Sequence, residues 1–375
     1  MSEPIRVLHI FGALNPGGVE TFVMNLYRCM DREKVQFDFA LTQGKKSFFD
    51  DEVEALGGKI FYFDTSKSMM RNLSRIFETE GPFAVMHSHV YFYSGLVLWN
   101  AHRHGIPVRI AHAHNTSFGQ KYTPARRFYE WLMRSLILRH ATHLFGCSVD
   151  ACEFVFGTGI MKDSRCRVVH NSFDVEGYRF DQEKRACIRD MYGIRPEQLV
   201  VGHVGRFEEQ KNHTRLVEQF TAIHRKRPDA VLLMVGRGRL MDRIREKCSR
   251  LGVLDQCIFA GAQRDTPFYY SAMDVFLFPS LYEGLGTVLI EAQANGLHVI
   301  TSRTVVPKEI DVTGRAAFVP LEADDDVWAD EVLAHSLRET DFEMNRLVAE
   351  SYDVRMLAEA LTDVYLHQER NPGWK

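Results

Sequence analysis

The pattern that decides the fold of this chain lies in residues 6–30, which read RVLHIFGALNPGGVETFVMNLYRCM. The apolar run from Arg6 to Phe11 predicts a buried strand, and the glycines and the proline of residues 12–18 predict a loop. From Val19 to Met30 the apolar residues recur at helical spacing. A strand, a glycine-rich loop and a helix in this order form the first unit of an α/β sheet.

Strands and helices continue to alternate along the chain, which predicts parallel sheets with helices on both faces. A polar stretch from Asp174 to Glu183 interrupts the pattern, which restarts with a buried strand at Leu199–Val204. We therefore expect an α/β protein with two units, residues 1–173 and 174–353, and a final segment, residues 354–375, whose helix packs back on the first unit. Ligands of such sheets bind beyond the C-terminal strand ends, so two facing sheets are expected to form a cleft. In the second unit, one helix is predicted to begin near Asn212. Four further helices are predicted at Arg239–Leu251, Asp265–Ala272, Thr287–Ala294 and about Asp326–Leu337.

Length and composition indicate a globular protein with more than one core. The chain has 375 residues, of which 45% are hydrophobic and 25% are charged, and one typical core does not reach that length. The formal net charge of -3 gives no basic bias toward nucleic acid. Seven scattered cysteines without CxxC spacing favour a reduced, cytoplasmic setting over a disulfide framework or a zinc site.

The sequence gives no sign of a membrane-spanning protein. The first residues lack the basic and apolar regions of a signal peptide. The longest nearly apolar run, about Val90 to Trp99, is far shorter than the ~20 residues that a membrane helix needs. We therefore expect a cytoplasmic protein whose membrane contact, if it has any, is peripheral and at the inner face.

A second informative stretch places two carboxylates eight residues apart, in Glu283-Gly284-Leu285-Gly286-Thr287-Val288-Leu289-Ile290-Glu291. The apolar residues after Gly286 predict a helix that begins near this glycine. A helix start offers unpaired N–H groups and a partial positive charge to an anion. Ionised carboxylates accept hydrogen bonds from sugar and ribose hydroxyls. The alternative is a loop and an amphipathic helix with incidental acids.

Two cations follow the first strand of the second unit. Arg206 comes directly after Gly205 at the strand end, and Lys211 lies five residues further on. An arginine grips two phosphate oxygens as a fork and a lysine adds a point charge, so the pair suits a diphosphate. Such a pair is more often solvated surface, but its place at a strand end in the same unit as the glutamates favours the functional interpretation.

Glycines follow two further strands. Gly17 and Gly18 stand at the start of the first predicted helix, where adjacent glycines allow a phosphate or sugar to approach the backbone. Gly236 and Gly238 follow a predicted strand and would let a base or ribose approach the main chain. The alternative in each case is a tight turn, and the spacing at Gly17 is not the GxGxxG dinucleotide fingerprint.

Four histidines end two strands of the first unit, namely His87, His89, His112 and His114. Such imidazoles suit donation to a sugar hydroxyl or a phosphate. Metal binding is a rival interpretation, but no acid or cysteine is interleaved as a zinc enzyme requires, so no metal site is predicted. The remaining alternative is that they are packed, hydrogen-bonded core residues, the commoner fate of a strand histidine.

The segment from Ala101 to His140 is basic and rich in aromatic residues. It carries seven lysines or arginines against one acid, Glu130. A basic, aromatic, amphipathic helix is typical of a protein that lies on an anionic membrane surface. The alternative, weighed about equally, is an ordinary helix whose apolar face packs and whose arginines face water.

Together these motifs resemble those of the family-4 retaining glycosyltransferases of the GT-B fold, the type that builds bacterial exopolysaccharides and capsules. The resemblance covers nearly the whole chain and depends on the order and spacing of five motifs. They are Gly17-Gly18-Val19-Glu20, Asn171 with Asp174, Gly205-Arg206 with Lys211, Ser280 to Gly286, and the pair of Glu283 and Glu291.

The resemblance implies two Rossmann-like domains, an acceptor-side first and a nucleotide-sugar-binding second domain. The implied reaction moves a sugar, most simply from a UDP-sugar, to a hydroxyl of a glycan or lipid-linked acceptor, with retention and without a metal or other cofactor. By the same resemblance Arg206 and Lys211 neutralise the departing diphosphate. Glu283 holds the donor sugar and Glu291 the ribose. Backbone N–H groups of Leu285, Gly286 and Thr287 contact the donor, and His114, or His112 in its place, lies near the reacting sugar.

Three departures leave the donor base and sugar open. The junction reads Asn171-Ser172-Phe173-Asp174 where the family commonly has Asn-Gly, and Arg237 stands where an acid is usual. Residues 304–309 lack the usual pair of glycines. The alternatives are a sugar-nucleotide epimerase or phosphorylase of similar fold, and a non-catalytic module that binds a glycan or a membrane.

Overall fold

The structure, a computed structural model, describes residues 3–63, 68–115, 123–283, 285–303, 306, 308–338 and 343–367. The chain forms two compact units, one of Met1–Phe173 with Val354–Lys375 and one of Asp174–Asp353. Each unit is built on a parallel sheet. The prediction of an α/β protein with two such sheets is therefore confirmed.

The sheet of the first unit has seven parallel strands. They are β1 (Ile5–Phe11), β2 (Val35–Leu41), β3 (Ile60–Tyr62), β4 (Val85–Ser88), β5 (Val108–Ala113), β6 (His143–Gly146) and β7 (Cys166–Val168). Their spatial order is β3-β2-β1-β4-β5-β6-β7. The central strands are buried almost throughout, as expected of a parallel sheet covered on both faces, which requires nearly continuous apolar runs.

In the described part of this unit, six α-helices connect these strands. They are α1 (Gly18–Cys29), α2 (Asp50–Ala55), α3 (Met69–Thr79), α4 (Ser94–Arg103), α5 (Pro124–His140) and α6 (Val149–Phe156). α1 turns Phe22, Val23 and Leu26 toward the core at helical spacing. α5 begins at a cap in which Thr123 accepts a hydrogen bond from the Arg126 N–H, with Pro124 in the first turn.

The second unit repeats this plan around a six-stranded parallel sheet. Its strands are β8 (Val200–Val204), β9 (Val231–Val235), β10 (Cys257–Gly261), β11 (Val275–Phe278), β12 (His298–Ser302) and β13 (Ala316–Val319). Their spatial order is β10-β9-β8-β11-β12-β13. The helices are α7 (Gln182–Met191), α8 (His213–Lys226), α9 (Met241–Arg250), α10 (Thr266–Ala272), α11 (Thr287–Ala294), α12 (Asp325–Ala334) and α13 (Glu343–Tyr352).

The sequence pattern does not predict two helices of this unit, α7 and α13. α7 buries an arginine in place of a broad apolar stripe: Arg189 donates to Asp274 at 2.7 Å. Its start nevertheless carries a local signal, since Asp181 caps it by accepting from the N–H groups of Glu183 and Lys184. Because Arg189 and Asp274 are 85 residues apart, their contact produces no periodic pattern in the sequence.

The last helix, α14 (Val354–His367), packs on the first unit, as predicted. Leu361 and Tyr365 are fully buried in the same core cluster as Phe22 and Phe37. The Tyr365 hydroxyl also lies 3.0 Å from Nδ1 of a strand histidine, His87.

The strand order of each sheet reverses direction once, between β1 and β4 in the first unit and between β8 and β11 in the second. Open α/β sheets bind ligands at this reversal, beyond the C-terminal ends of the strands. In the second unit the loops after β9, β8 and β11 leave neighbouring strands at this edge, so they lie side by side.

Candidate active site

A mostly buried ion pair joins the loops after β8 and β11. Lys211, at the end of a short 3-10 turn, places its Nζ 2.7 Å from Oε1 of Glu283. The Lys211 side chain is 14% exposed and the Glu283 side chain 6%. Ser280 donates its hydroxyl to the same carboxylate oxygen. The structure therefore brings together one cation and one carboxylate that the sequence predicted as site residues.

Hydrogen bonds along the backbone hold the same two loops together. The carbonyl of Gln210 accepts from the Leu281 N–H at 2.8 Å, and the Ser280 hydroxyl oxygen lies 2.8 Å from the same carbonyl oxygen. The Gln210 side chain donates to the Tyr282 carbonyl at 2.8 Å. Asn212 donates to the Pro279 carbonyl at 3.1 Å. Because the contact is made at several points, the geometry of the ion pair is fixed by both loops.

Arg206 lies at the end of β8 with its side chain exposed. None of the ion pairs recorded among the described residues includes its guanidinium; the neighbouring Glu208 pairs with Arg239 at 2.6 Å, and the charge of Arg206 also helps to lower the pKa of that carboxyl. An exposed guanidinium without a carboxylate partner is able to bind an anion. Arg206 and Lys211 thus supply two cations from one strand-end loop.

Gly236 and Gly238 are required by the packing of the chain itself. Gly236 has a φ of +142°, and a Cβ on it would lie 2.0 Å from the carbonyl oxygen of Gly205. A Cβ on Gly238 would lie 2.5 Å from the carbonyl oxygen of Phe207. These two glycines let the loop after β9 lie directly against the loop after β8, so a structural reason accounts for both without a ligand.

The start of α11 has the geometry that an anion site requires. Gly286 precedes the helix with a φ of +77°, and no side chain caps the first turn. The first N–H groups of a helix have no intrahelical partners. In α11 these groups begin at Thr287, directly after Leu285 and Gly286. Leu285 is buried, whereas Gly284 lies outside the described residues.

Glu291 lies one turn into α11 and is held by tyrosines. Its Oε2 accepts a hydrogen bond from the Tyr270 hydroxyl at 2.8 Å, and Tyr178 donates to the same carboxylate. Burial raises the pKa of Glu291 to about 7, although both hydrogen bonds and the charge of Lys211 act in the opposite direction. Near neutral pH this carboxyl therefore exists in both protonation states.

In the first unit, α1 starts at Gly18 directly after the loop that follows β1. A Cβ on Gly18 would meet nothing within 4 Å, whereas one on Gly17 would collide with the carboxylate of Glu20. The carboxylate of Glu20 therefore folds back over the start of α1. Gly18 is the open position of the pair.

The strand histidines are buried and bonded to one another. Nδ1 of His9 lies 3.1 Å from Nε2 of His89, and Nδ1 of His89 lies 2.9 Å from Nε2 of His114. Nδ1 of His114 lies 3.2 Å from Oδ1 of Asn171. Both ring nitrogens of His114 are thus occupied within the first unit.

The other two histidines form a separate chain. Nε2 of His87 lies 3.1 Å from Nδ1 of His112, which stacks on His114 with ring centroids 4.0 Å apart. Two sets of three rings have nitrogens within 4.8 Å of one another, namely His9 with His87 and His89, and His89 with His112 and His114. These positions match the interpretation of packed, hydrogen-bonded core residues.

The basic segment around α5 divides into internal and exposed residues. Arg109 donates to the carbonyls of His140 and Ile106, and Arg134 donates to those of Val155 and Phe154. Arg109 lies on β5, whereas Arg134 lies on α5, so the interpretation in which the helix arginines face water is wrong for Arg134. Phe128 and Trp131 are 63% and 60% exposed, with ring centroids 5.8 Å apart. No helix in the described ranges is long and apolar enough to cross a bilayer.

Sequence reasoning missed the residues that hold the predicted ones. These are Gln210 beside Glu283, Tyr178 and Tyr270 beside Glu291, and His9 behind His89; Ser280 belongs to one of the five motifs, but its spacing predicts no role for it. No local pattern identifies them, since Tyr270 and Glu291 are 21 residues apart and His9 and His89 are 80 apart. The position of His9 in β1, beside the strand that carries His87, becomes a signal once the strand order is known.

Comparison with known proteins agrees with the fold. Residues 184–335 match the family described as "Glycosyl transferases group 1", and residues 17–172 match "Glycosyl transferase 4-like domain". The chain is 35% identical to the putative glycosyltransferase EpsF of Bacillus subtilis over 97% of both chains. It is 24% identical to the UDP-Gal:alpha-D-GlcNAc-diphosphoundecaprenol alpha-1,3-galactosyltransferase of Escherichia coli, over 80% of this chain and 79% of the other.

Among solved structures, the crystal structure of Anabaena Alr3699/HepE in complex with UDP superposes with a TM-score of 0.79 at 16% identity, over 96% of this chain and 99% of that chain. The fold is therefore that of a GT-B glycosyltransferase, an enzyme that transfers a sugar. The chain belongs to the family-4 glycosyltransferases, and its relatives place it with those of exopolysaccharide type.

Proposed function

We propose that this enzyme transfers a sugar from a UDP-sugar to a hydroxyl of a glycan or lipid-linked glycan acceptor, with retention of the anomeric configuration. The observation that carries the proposal is the pairing of Lys211 with Glu283 across two adjacent strand-end loops. It joins a cation suited to a diphosphate with a carboxylate suited to sugar hydroxyls. The UDP bound to the structural neighbour and the UDP-Gal in the name of one relative support the choice of donor.

In the proposed complex the two cations act on the leaving group. Arg206 binds diphosphate oxygens as a fork, and Lys211 adds its charge to the side where Glu283 holds the sugar. The bond between the anomeric carbon and the phosphate oxygen breaks, and negative charge grows on the diphosphate. Charges already in position stabilise this transition state more than the bound substrate, so they act mainly on kcat.

Retention follows from attack on the face that the diphosphate leaves. The acceptor oxygen forms its bond to the anomeric carbon, and its proton passes to an oxygen of the departing diphosphate. The products are the glycosylated acceptor and UDP, so atoms and charge balance without a protein base. We propose that no metal is needed, because Arg206 and Lys211 supply the positive charge.

The start of α11 and Glu291 hold the nucleotide in this proposal. Backbone N–H groups of Leu285, Gly286 and Thr287 donate to the sugar or phosphate, as helix starts do for anions. Glu291 accepts from the ribose hydroxyls, and Tyr178 and Tyr270 fix its carboxylate in place. Gly17 and Gly18 serve the acceptor side, with Gly18 as the open position.

We further propose that α5 rests on an anionic membrane at the cytoplasmic face, where a lipid-linked acceptor would be found. Phe128 and Trp131 are exposed side by side, and Arg127 and Arg139 are exposed on the same helix. Aromatic side chains enter the headgroup region, and arginines are attracted to anionic lipids. Arg134 takes no part in this surface, since it holds the end of α6.

A donor screen followed by product analysis tests the proposed function. Calorimetry with UDP-, GDP- and ADP-sugars identifies the donor, and incubation with membrane extracts identifies the glycosylated product and its anomeric configuration. We expect UDP-sugar binding and a product of retained configuration. Inversion, or a change of the donor sugar without an acceptor, would contradict the proposal and indicate a different reaction such as epimerisation.

A further inference from the structure

The row of hydrogen-bonded histidines from His9 through His89 to His114 ends at the side-chain amide oxygen of Asn171. An amide oxygen accepts hydrogen bonds and does not donate them. Oδ1 of Asn171 lies 3.2 Å from Nδ1 of His114, so this nitrogen carries the proton.

The remaining protons follow from the same rule. Burial lowers the pKa of His9 and His114 to about 3 and that of His89 well below its usual value, so all three rings are neutral. A neutral imidazole has one donor and one acceptor nitrogen. Nε2 of His114 therefore accepts from Nδ1 of His89, and Nε2 of His89 accepts from Nδ1 of His9.

The other end of this row of histidines, at His9, supports the same direction of hydrogen-bond donation, from His9 to His89 to His114. Nε2 of His9 is buried and has no hydrogen-bond partner among the described residues. With the opposite direction this nitrogen would be a buried N–H without an acceptor. Buried N–H groups without a partner are rarer than acceptors left under-satisfied, so the direction set by Asn171 is favoured at both ends.

We propose that His89, backed by His9, is a positioning residue that keeps His114 a hydrogen-bond donor through Nδ1. The inference rests on the proposed function and on the family resemblance, which implies that His114 lies near the reacting sugar. A substrate oxygen would then replace Oδ1 of Asn171 as the acceptor of the same N–H, and the ring keeps its proton. His114 contributes a hydrogen bond and is not a general base.

A metal ion is the competing explanation for five clustered imidazoles. The two sets of three rings are close enough in space, but each consists of neutral ligands. Three neutral imidazoles do form zinc sites, but an ion here would take ring nitrogens that already bond to one another, and neither set includes a carboxylate or thiolate to balance its charge. The hydrogen-bonded histidines use the same nitrogens without an unbalanced charge.

Long-range proton–nitrogen correlation spectra of histidine-labelled protein test the chain directly, without any substrate. We expect the proton on Nδ1 in His9, His89 and His114. A proton on Nε2 of His114 would overturn the proposal. So would a stoichiometric metal ion in elemental analysis of the purified protein that is lost in His89→Asn.

Kinetics of three variants test the effect on transfer. His89→Phe removes the donor to His114, whereas His89→Asn keeps an N–H close to the position of Nδ1. We expect His89→Phe to lower kcat about 3- to 10-fold with little change in donor KM, the factor that one hydrogen bond contributes, and His89→Asn to recover most of it. His143→Phe is the matched control, since it replaces another buried strand histidine outside the chain.

Wild-type kcat in a folded His89→Phe would overturn the positioning role, and so would an equal fall in His143→Phe. If His89→Phe does not fold, His89→Asn and the wild-type spectra decide. If the wild type transfers no sugar at all, the proposed function fails, while the spectra still establish or refute the direction of the chain.

Discussion

Lys211 and Glu283 form an ion pair of 2.7 Å that ties the loop after β8 to the loop after β11. The chain thereby brings together, before any substrate arrives, the cation proposed to bind phosphate and the carboxylate proposed to bind sugar hydroxyls. Removing one partner of a buried pair leaves the other charge unpaired, which costs about 3–5 kcal/mol. The pair therefore affects both the stability of the second unit and the proposed chemistry.

Replacing Lys211 with methionine separates these two effects when it is compared with a second lysine. We expect Lys211→Met to lower kcat on the order of 10²- to 10³-fold, because charge on the departing diphosphate loses its stabilisation. Chemical denaturation should show a loss of roughly 3 kcal/mol.

Lys247→Met is the control for this comparison. Lys247 is 17% exposed and pairs with Glu218 on the helices of the same unit, away from the strand-end loops. It should lose about 1 kcal/mol or less and keep its kcat. An equal loss of activity in both variants would mean that destabilisation, and not the diphosphate charge, explains Lys211→Met.

Glu291 should make UDP binding depend on pH near neutrality. Its folded pKa of about 7 is raised from 4.5, so the fold favours the protonated form. The corresponding stability is present below pH 4.5 and is lost as the pH rises through 7, an effect of up to roughly 3 kcal/mol. The ionised carboxylate is the better acceptor for ribose hydroxyls.

Calorimetry with UDP between pH 6 and 8 should therefore show tighter binding at the higher pH. Glu291→Gln has no charge to lose, so its UDP affinity should be weaker and flat with pH. Tyr270→Phe should raise the midpoint of the wild-type transition, because it removes a hydrogen bond that favours the carboxylate. Identical pH profiles for wild type and Glu291→Gln would show that Glu291 does not contact the ribose.

The buried histidines should make the first unit sensitive to acid. Burial lowers the folded pKa of five of them, namely His9, His87, His89, His112 and His114. Below pH 6.5 the unfolded chain takes up protons that the folded chain does not. The free energy of unfolding therefore decreases by about 1.4 kcal/mol for each histidine with every unit by which the pH is lowered. If all five act, the slope approaches about 7 kcal/mol per unit, against a usual total of 5–15 kcal/mol.

Urea unfolding at pH 7.5, 6.0 and 5.0, followed by near-UV circular dichroism, measures this slope. We expect marked destabilisation by pH 5.5 and a shallower slope in His87→Phe, which removes one of the buried imidazoles. A free energy of unfolding that stays constant between pH 7.5 and 5.0 would mean that these rings are protonated in the fold or accessible to water.

The exposed face of α5 predicts binding to anionic vesicles. The wild type should float with vesicles containing phosphatidylglycerol and should bind less to neutral ones. Phe128→Ala with Trp131→Ala, and separately Arg127→Glu with Arg139→Glu, should each reduce flotation. Met191→Ala is the control, because Met191 is 62% exposed on the second unit. A wild type that stays in the unbound fraction would exclude this surface as a membrane contact.

Much of the fold could be predicted because its strands are short apolar runs separated by glycine and polar loops. α11 begins and ends where the sequence predicts, and β1, β8 and α10 differ from their predicted bounds by one residue each. α7 was missed because Arg189 and Asp274 replace an apolar stripe. Local periodicity does not report contacts between charged residues that are distant in sequence.

The loops that carry the candidate site could be predicted from the sequence, whereas the residues that contact Glu291 and His114 could not. Arg206, Lys211, Glu283 and Glu291 follow strands whose ends share one edge, which the alternating pattern implies. The tyrosines on Glu291 and the chain behind His114 depend on contacts across the sheet, which spacing does not encode. Backbone packing requires the glycines at 236 and 238, and their contact with a base or ribose stays a prediction.

The rate of sugar transfer by Arg206→Ala, measured at saturating UDP-sugar in the presence of EDTA, shows whether positive charge from the protein stabilises the departing diphosphate. The Arg206 guanidinium is exposed and forms none of the ion pairs recorded among the described residues, so its loss should leave stability nearly unchanged. We predict that the wild type remains active in EDTA and that kcat of the variant falls on the order of 10²-fold or more with a similar donor KM. Transfer at the wild-type rate by Arg206→Ala, or loss of wild-type activity in EDTA, would contradict the account.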